Sequence, residues 1–278
     1  MKILRWVMTL FLICGMASAI YMISPDATKD ISTSNTGNLK YKDIVILTTD
    51  EAKSLEKNNM GMDISIDTPN GPRNLNIAKQ NKLIKVTKPI TTRATTQLYV
   101  INGKRWNTYN PQLKFVLRND AEMTKKGLIA SNVMREIKTA LNTWDDASKQ
   151  NLFLDSNTVT TNPTIQADVY NKVNTLSWKL FTNSCIAYSR TWYKNTLIDG
   201  YKTAVDSDIV FNTKYPWRTE GTVGADIQTI ALHEIGHSLG LGDLYSSDAS
   251  KQAMYGYYTK VWRTLGNGDK MGINILYG

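Results

Sequence analysis

Both histidines of this 278-residue chain lie four positions apart, within the stretch IALHEIGHSLGLGDLY (230–245). Residues i and i+4 share one face of a helix, so His233 and His237 would direct their imidazoles at a common point. Glu234 follows the first histidine and completes the pattern H-E-x-x-H. Two imidazoles suit Zn²⁺, and the adjacent carboxylate can take a proton from metal-bound water, whose pKa falls to about 7. The spacing therefore predicts a hydrolytic zinc site.

The pattern continues to H-E-x-x-H-x-x-G-x-x-D through Gly240 and Asp243. A glycine at this position can adopt a left-handed conformation, end the helix and turn the chain back. That turn would bring Asp243 to the metal as a third ligand and leave one position for water. In the alternative, Asp243 is an exposed turn residue, and Asp248 or water completes the shell. A chance match to so short a motif is a further alternative, which this continuation disfavours.

The extended motif resembles that of the metzincin zinc peptidases, H-E-x-x-H-x-x-G-x-x-H followed by a Met-turn. The stretch LHEIGHSLGL is most similar to the matrixin branch, and AMYGYY places Met254 where matrixins carry the Met-turn. DSDIVFN resembles the strand before the active-site helix, and GDKMGINILYG resembles the C-terminal helix. KRWNTYNPQLKFVL and ASNVMREIKTALNTWDDAS are similar to the opening strand and first long helix. The resemblance therefore covers residues 104–278.

The resemblance implies the α+β class, with a metzincin-like catalytic domain that has a twisted mixed β-sheet, a long active-site helix and a Met-turn. A small N-terminal segment would precede this domain. The implied activity is that of a monomeric zinc endopeptidase that hydrolyses peptide bonds in protein or peptide substrates. Its metal ligands would be His233, His237 and Asp243, with Glu234 as the general base and Met254 as the apolar floor.

One residue departs from the usual family pattern. The third ligand is commonly histidine, whereas Asp243 matches the substitution that snapalysin-like members show. Its negative charge should bind Zn²⁺ well but make the metal a weaker Lewis acid than three neutral ligands would. The family's second, structural zinc is bound partly by histidine. It cannot be present in its usual form here, because the chain has no third histidine.

Matrixins often bind structural Ca²⁺, and three aspartates are candidates for oxygen ligands here: Asp199, Asp206 and Asp208. Turn or capping roles are the alternative for these residues. The family's usual latency device is a propeptide cysteine bound to the zinc. Residues 20–105 contain no cysteine, so an inhibitory role for this segment would need another mechanism.

Apolar spacing predicts the elements that position the site. We expect a long amphipathic helix at 127–149 and the metal-binding helix at 225–239, its histidines beside an apolar arc and facing a cleft. Strands are expected at 113–117, 164–169, 185–193 and 208–212. Peptidases of the implied type bind substrate as an extra strand along a sheet edge, and residues 186–194 form either that edge or an interior strand.

The first residues indicate export. Lys2 and Arg5 precede an apolar run that ends in the cleavage pattern ASA, so residues 1–19 are predicted to be a signal peptide. The apolar stretch 6–23 is also long enough to remain as an uncleaved anchor. Either case places the protein outside the cell or on the outer side of the cell membrane. The lack of an N-x-[ST] acceptor favours a prokaryotic source.

Residues 20–105 are predicted to be a linker plus a prodomain, stalk or accessory segment, and residues 106–278 the catalytic domain. The formal net charge of +9 raises the question of nucleic-acid binding. Residues 20–105 carry 13 Lys and Arg against 8 Asp and Glu, residues 106–278 carry 18 against 16, and neither part has a basic run. We therefore expect a solvated surface and no nucleic-acid partner, with membrane contact only through an N-terminal anchor.

The alternative function is that of a surface adhesion or scaffolding protein that retains zinc for stability. A binding module does not need a general base, so the presence of Glu234 favours the enzyme. Substitution of Glu234 separates the two functions, because this residue is not expected to be a metal ligand.

Overall fold

The computed structural model describes residues 54–66, 73–77, 98–107, 109–154, 159–181 and 184–278. The predicted signal peptide or anchor lies outside these residues, as do residues 20–53 of the segment that follows it. Among the described residues, no helix combines the length and the apolar character that crossing a membrane requires.

Within these ranges the strands are β1 Met60–Ile66, β2 Arg73–Ile77, β3 Val100–Ile101, β4 Lys104–Arg105, β5 Phe115–Leu117, β6 Val159–Thr161, β7 Asn174–Lys179, β8 Ala187–Ile198, β9 Tyr201–Asn212, β10 Trp217–Arg218, β11 Ala225–Asp226 and β12 Leu241–Gly242. The α-helices are α1 Ala121–Thr124, α2 Ala130–Asp145, α3 Ile227–Ser238 and α4 Asn267–Tyr277, and residues 54–57 before β1 are also helical. A 3₁₀ turn spans Ser247–Ala249.

The main sheet has the strand order β2-β1-β8-β9-β7-β5-β6, and β4 also pairs with β9. Strands β9, β7, β5 and β6 are parallel to one another, whereas β8 lies antiparallel between β9 and β1. The predicted α+β class with a mixed sheet and a separate metal-binding helix is therefore confirmed. The sheet also includes β1 and β2, which belong to the N-terminal segment.

Helix α2 packs its predicted apolar face into the main core. Val133, Ile137, Leu141 and Trp144 follow helical spacing and are all fully buried. The indole Nε1 of Trp144 donates a hydrogen bond of 2.8 Å to the carbonyl of Leu232, within helix α3. The first long helix is thus fixed directly to the backbone of the metal-binding helix.

A second hydrophobic cluster includes side chains of β1 and β8. Met62 and Ile64 of β1 are almost completely buried, together with Trp192 of β8. They alternate with Asp63 along β1, and this period of two is what places them on one face of the sheet. The N-terminal segment therefore contributes its own side chains to the packing of the sheet.

The strand predicted at 164–169 is wrong, because this stretch forms turns and bends. Two buried carboxylates fix the connection between β6 and β7 in its irregular path. Asp208 accepts hydrogen bonds from the backbone N–H of Val169 and Thr175, at 3.0 and 2.8 Å. Asp206 accepts from two further backbone N–H groups of this connection, those of Asn171 and Lys172. Backbone groups that would otherwise need a neighbouring strand are therefore satisfied by side chains.

Candidate metal centre and cleft

Helix α3 begins at a strong N-cap. The Asp226 carboxylate accepts hydrogen bonds of 2.9 and 2.6 Å from the N–H and hydroxyl of Thr229. Every residue of the helix is buried, including His233 and His237, so the prediction of histidines outside the buried face is wrong. The physical reason is that α3 is covered on all sides, by α2, by the sheet and by the segments that follow it.

The structure brings together the three residues predicted to be metal ligands. The Nε2 atoms of His233 and His237 lie 3.0 Å apart, and an oxygen of Asp243 lies 3.1 and 3.2 Å from them. All three side chains are buried. Among the described residues, they form the one group of His, Cys, Asp and Glu side chains arranged to hold a metal ion.

The hydrogen bonds of the two histidines orient their rings so that both Nε2 atoms face the centre of the cluster. Nδ1 of His233 contacts the carbonyl of Ala253 at 2.7 Å, and Nδ1 of His237 contacts the carbonyl of Leu241 at 2.9 Å. A carbonyl can only accept, so each Nδ1 carries a proton, and Nε2 is the nitrogen left to bind a metal. With both rings in the neutral form that metal binding requires, two lone pairs and a carboxylate this close repel one another unless a cation lies between them.

Zinc fits this donor set. Zinc–ligand bonds of about 2.0–2.2 Å in a tetrahedron place neighbouring ligand atoms roughly 3.3–3.6 Å apart. Small outward shifts from the separations of 3.0–3.2 Å found here would therefore admit the ion. Burial of Asp243 acts to raise its pKa, but the interactions of the carboxylate with the imidazoles of His237 and His233 outweigh burial and lower that pKa below its ordinary value. The carboxylate is therefore available in the ionised form that a metal ligand requires.

Gly240 turns the chain so that Asp243 reaches the histidines. Its φ of +106° lies in the region that glycine adopts readily, as the sequence predicts. The carbonyl of Lys104 also approaches so closely that a Cβ at Gly240 would overlap it. Strand β12 then pairs with β3, and Asp243 follows directly. The alternative, in which Asp243 is an exposed turn residue, is wrong because Asp243 is buried. Asp248, the other candidate, is exposed in the 3₁₀ turn.

Met254 lies in a buried turn beneath α3. A Cβ added to Gly236, between the two histidines, would overlap the Met254 sulfur and the Trp144 ring. This close approach explains the glycine within H-E-I-G-H, because any larger side chain would separate helix and turn. The same turn carries Ala253, whose carbonyl orients His233.

Asp269 of helix α4 fixes this turn, and sequence reasoning missed it. Its buried carboxylate accepts hydrogen bonds from the backbone N–H groups of Ala253, Met254 and Gly266, at 2.6, 3.2 and 2.8 Å. Burial raises the pKa of Asp269, while these three hydrogen bonds and the nearby His233 oppose the rise. Asp269 thus positions a metal ligand through the backbone. The signal in the sequence for a structural role of Asp269 is its place in GDKMGIN, three residues after the glycine that caps helix α4.

Glu234, the predicted general base, is fully buried on α3 directly after His233. Helical geometry places it about 100° around the axis from that ligand, so it faces a neighbouring side of the helix. This position next to a ligand, without being one of the three clustered residues, is consistent with proton transfer.

A cleft opens beside His233. Its walls comprise Ile186, just before β8, together with Ile230 of α3 and aromatic residues from the segment after the Met-turn. The wall residues that follow Met254 include Tyr255, Tyr257, Tyr258, Lys260 and Trp262. The three tyrosines therefore line the cavity next to the metal ligands.

The segment that carries these aromatic residues is tied to the start of α3. The N–H of Asp226 donates to the hydroxyl of Tyr258, and the N–H of Trp262 donates to the hydroxyl of Thr229, both at 3.0 Å. Arg263 forms an ion pair with the Asp226 carboxylate at 2.5 Å. Burial acts to raise the pKa of Asp226, but the hydrogen bonds of Arg263 and Thr229 outweigh it and lower that pKa. The cleft wall is thus anchored to the metal-binding helix.

The three aspartates considered for Ca²⁺ do not form one site in the described part of the chain. Asp199 lies in the turn between β8 and β9 and pairs with Arg105 at 2.8 Å. Asp206 and Asp208 lie on β9 and bind backbone N–H groups, as described above. This arrangement matches the alternative of turn and capping roles.

Fold and site together define a class of protein, the zinc metalloendopeptidases of the metzincin type, with a metal-binding helix, a glycine turn to a third ligand and a Met-turn. The chain belongs to the matrixin family, whose model matches residues 105–278. This match confirms the matrixin-like resemblance and, at the level of the family, the predicted enzyme class and the predicted dependence on zinc.

Two curated relatives are similar to this chain. Karilysin of Tannerella forsythia is 28% identical to it, and stromelysin-3 of Xenopus laevis is 27% identical. Each comparison covers 65% of this chain and 34% of the relative, so the chain spans about a third of the length of the relatives it matches.

Proposed function

We propose that this chain is a zinc-dependent endopeptidase that hydrolyses peptide bonds in protein or peptide substrates. The observation that carries the proposal is the buried cluster of His233, His237 and Asp243, whose ligand atoms lie within 3.2 Å of their neighbours. The presence of Glu234 on the same helix supports catalysis over a purely structural metal site.

Each residue of the site has a separate task in this mechanism. When bound, Zn²⁺ supplies Lewis acidity that activates water and polarises the scissile carbonyl. Glu234 takes the proton of the attacking water and delivers it to the leaving amine. His233 and His237 keep their Nε2 lone pairs on the metal because their Nδ1–H groups are held by carbonyls. Asp243 adds the negative charge, and Met254 forms an apolar floor.

The cleft supports a preference for an apolar side chain next to the cut. Ile186, Ile230 and Ala253 line it with aliphatic groups, and Tyr257 and Trp262 add aromatic surface. Burial of an apolar side chain in such a cavity is favourable by about 1.5–3 kcal/mol relative to exposure. We expect this selection at the residue that follows the scissile bond.

The substitution Glu234→Gln tests the mechanism. The amide keeps the size of the side chain but cannot accept a proton, so we expect kcat/KM on a mixed peptide library to fall by about 10²–10⁴-fold. Zinc content and thermal stability should remain at the wild-type level. Glu122→Gln, at the surface of α1, is the matched control. Full cleavage by Glu234→Gln would refute the assignment of the base, and a wild type that binds zinc but cuts no peptide would favour adhesion or scaffolding.

We also propose that the protein is exported and acts as a monomer outside the cell or on the outer side of its membrane. The proposal rests on the charged, apolar and ASA segments of residues 1–19. Fractionation of expressing cells and amino-terminal sequencing test it. A mature chain that begins at Ile20 in the medium supports a cleaved signal peptide, whereas a full-length, membrane-bound chain supports the anchor.

A further inference from the structure

The stretch that leads into β8 runs along the metal-binding helix. Ile186 lines the cleft together with His233. Three residues further on, the hydroxyl of Ser189 lies 3.1 Å from that of Ser238, which directly follows His237. Residues 186–189 therefore lie alongside both metal-ligating histidines. An extended peptide whose scissile bond reaches the metal can pair with the backbone of this stretch.

Strand β1 already occupies most of that backbone. It pairs antiparallel with β8 from Ile66 opposite Tyr188 to Met60 opposite Lys194. The earlier alternative of an interior strand is therefore correct for residues 188–194. Among the described residues, β1 ends two positions short of Ile186, which lines the cleft.

A substrate strand would need the same positions as β1. In a peptide that pairs antiparallel with β8, residues before the scissile bond lie beside Tyr188 and the β8 residues that follow it. Strand β1 runs in this same direction and bonds to the same backbone groups. A strand edge can pair with one partner at a time, so β1 and the amino-terminal side of a substrate exclude each other.

The contacts that hold β1 include a buried ion pair. The ammonium group of Lys104, whose side chain is 3% exposed, contacts the Asp63 carboxylate of β1. The hydroxyl of Tyr193 donates to the other Asp63 oxygen at 3.2 Å. If Asp63 were lost, the Lys104 charge would be buried without its carboxylate for as long as β1 stayed in place. Release of β1 would return this charge to water.

A glycine completes the fit between the two strands. Gly61 lies opposite Tyr193, and a Cβ at this position would overlap the Tyr193 ring. Met62 and Ile64 lie on the other face of β1, in the cluster with Trp192. The interface thus has a specific close approach, a buried charge pair and an apolar surface, which together define one register.

We propose that β1 is an intramolecular competitor of the substrate, which blocks the positions for residues on the amino side of the cut until β1 is displaced. The inference rests on the proposed endopeptidase function. It assigns an inhibitory role to β1, residues 60–66, that needs neither a cysteine nor any contact with the metal.

Substitutions that weaken the docking of β1 in the full chain test this proposal. Asp63→Ala removes the partner of Lys104, and Gly61→Val places a side chain against the Tyr193 ring. Glu122→Ala is the matched control for the lost charge. Gly200→Ala, at the β8–β9 turn where a Cβ would meet open space, is the control for a glycine substitution outside the contact with β1.

Two peptides and one structural measurement are read for each variant. The long peptide has several residues on both sides of the cut, whereas the short peptide has one blocked residue before it. Hydrogen exchange followed by mass spectrometry reports the protection of the β1 amides. We expect both variants to lose protection of the β1 amides and to cleave the long peptide roughly tenfold faster. A factor of about ten is the weakening of β1 docking expected when one hydrogen bond to a charged group is lost. The short peptide and both controls should be unchanged.

Other outcomes would overturn the inference. Lost protection with unchanged cleavage of the long peptide would show that β1 does not compete with substrate. Equal gains on both peptides would show a general effect on the site. Retained protection in the combined Gly61→Val and Asp63→Ala variant would refute the contacts assigned to β1. If the wild type and all variants, loaded with zinc, cleave neither peptide, then the proposed function itself fails and the inference fails with it.

Discussion

Removal of the Asp269 carboxylate should destabilise the zinc-loaded protein by about 3–5 kcal/mol. In Asp269→Ala, three backbone N–H groups lose their acceptor: the buried groups of Ala253 and Met254 and the half-buried group of Gly266. Each buried donor left without a partner costs about 1–3 kcal/mol. Relaxation and entry of water limit the total, and single substitutions rarely exceed about 4–5 kcal/mol. The conservative variant Asp269→Asn keeps one acceptor oxygen, so we expect roughly half of the loss.

Equilibrium unfolding in urea measures this effect, with the free energy of unfolding taken from midpoint and slope. The metal provides a second readout. The Ala253 carbonyl orients His233, so we expect a zinc affinity lower by about 10–100-fold, as for other partners that orient metal ligands. A loss of less than about 1 kcal/mol in Asp269→Ala would refute the account of three satisfied donors. Unchanged zinc affinity despite a large loss of stability would show that the turn does not position His233.

Three further predictions concern the third ligand, the glycine turn and the buried acids of β9. Asp243→Ala should lower zinc affinity by more than about 100-fold, which exceeds the effect of losing a residue that only orients a ligand. Asp248→Ala should leave zinc affinity unchanged. Competition with a chromogenic chelator measures both affinities, and equal values for the two variants would refute the assignment of Asp243 as a ligand. Gly240→Ala should lower the free energy of unfolding by more than Gly103→Ala, because both residues have positive φ but only at Gly240 would a Cβ overlap a backbone carbonyl. Gly240→Ala should also weaken zinc binding. Equal losses of stability in the two variants would contradict the close approach at Gly240. Burial raises the pKa of Asp206 to about 6, and burial together with the charge of Asp206 raises that of Asp208 to about 8. Both pKa values in the folded protein exceed the ordinary value of 3.8. The contribution of these two groups to the free energy of unfolding is therefore complete below pH 3.8 and is lost as the pH rises through about 6 and about 8. Asparagine does not titrate, so the free energy of unfolding of Asp208→Asn, measured in urea relative to that of the wild type, should be higher at pH 8 than at pH 5. A difference between the two proteins that does not depend on pH would refute the shifted titration.

The metal cluster could be predicted from the sequence because its geometry is local. His233 and His237 depend only on helical spacing, and Gly240 and Asp243 depend only on the turn that follows. Met254 was also identified, but through resemblance to a family motif. No local rule connects it to Gly236, whose lack of a side chain makes the contact with Met254 possible.

The supporting residues could not be predicted, since their partners are distant in sequence. Asp269 is one of several carboxylates in the chain, and only the folded structure shows that it faces the Met-turn. Asp206 and Asp208 alternate along a strand and resemble ordinary polar residues, although they bind a connection more than 30 positions earlier. Residues 164–169 were predicted to be a strand because spacing alone does not reveal such side-chain acceptors.

The pairing of β1 with β8 was likewise hidden. Residues 186–194 have the same aromatic and β-branched composition whether the strand is interior or at an edge. The choice depends on a segment from the N-terminal part of the chain, through Gly61 and Asp63. Local preference therefore predicted that β8 exists but not which strand lies beside it.

The long sequence separation between β1 and β8 has a consequence for synthesis of the protein. Translation proceeds at about 5–20 residues per second, so roughly 7 to 26 seconds pass between completion of Ile66 and of Ile198. During this time β1 can pair with β2, but the edge of β1 that pairs with β8 in the folded protein stays open, and an open strand edge readily associates with other chains. This open edge at residues 60–66 is therefore the part of the nascent sheet at which association with other chains is expected. The sheet can be completed only when most of the catalytic part has been made.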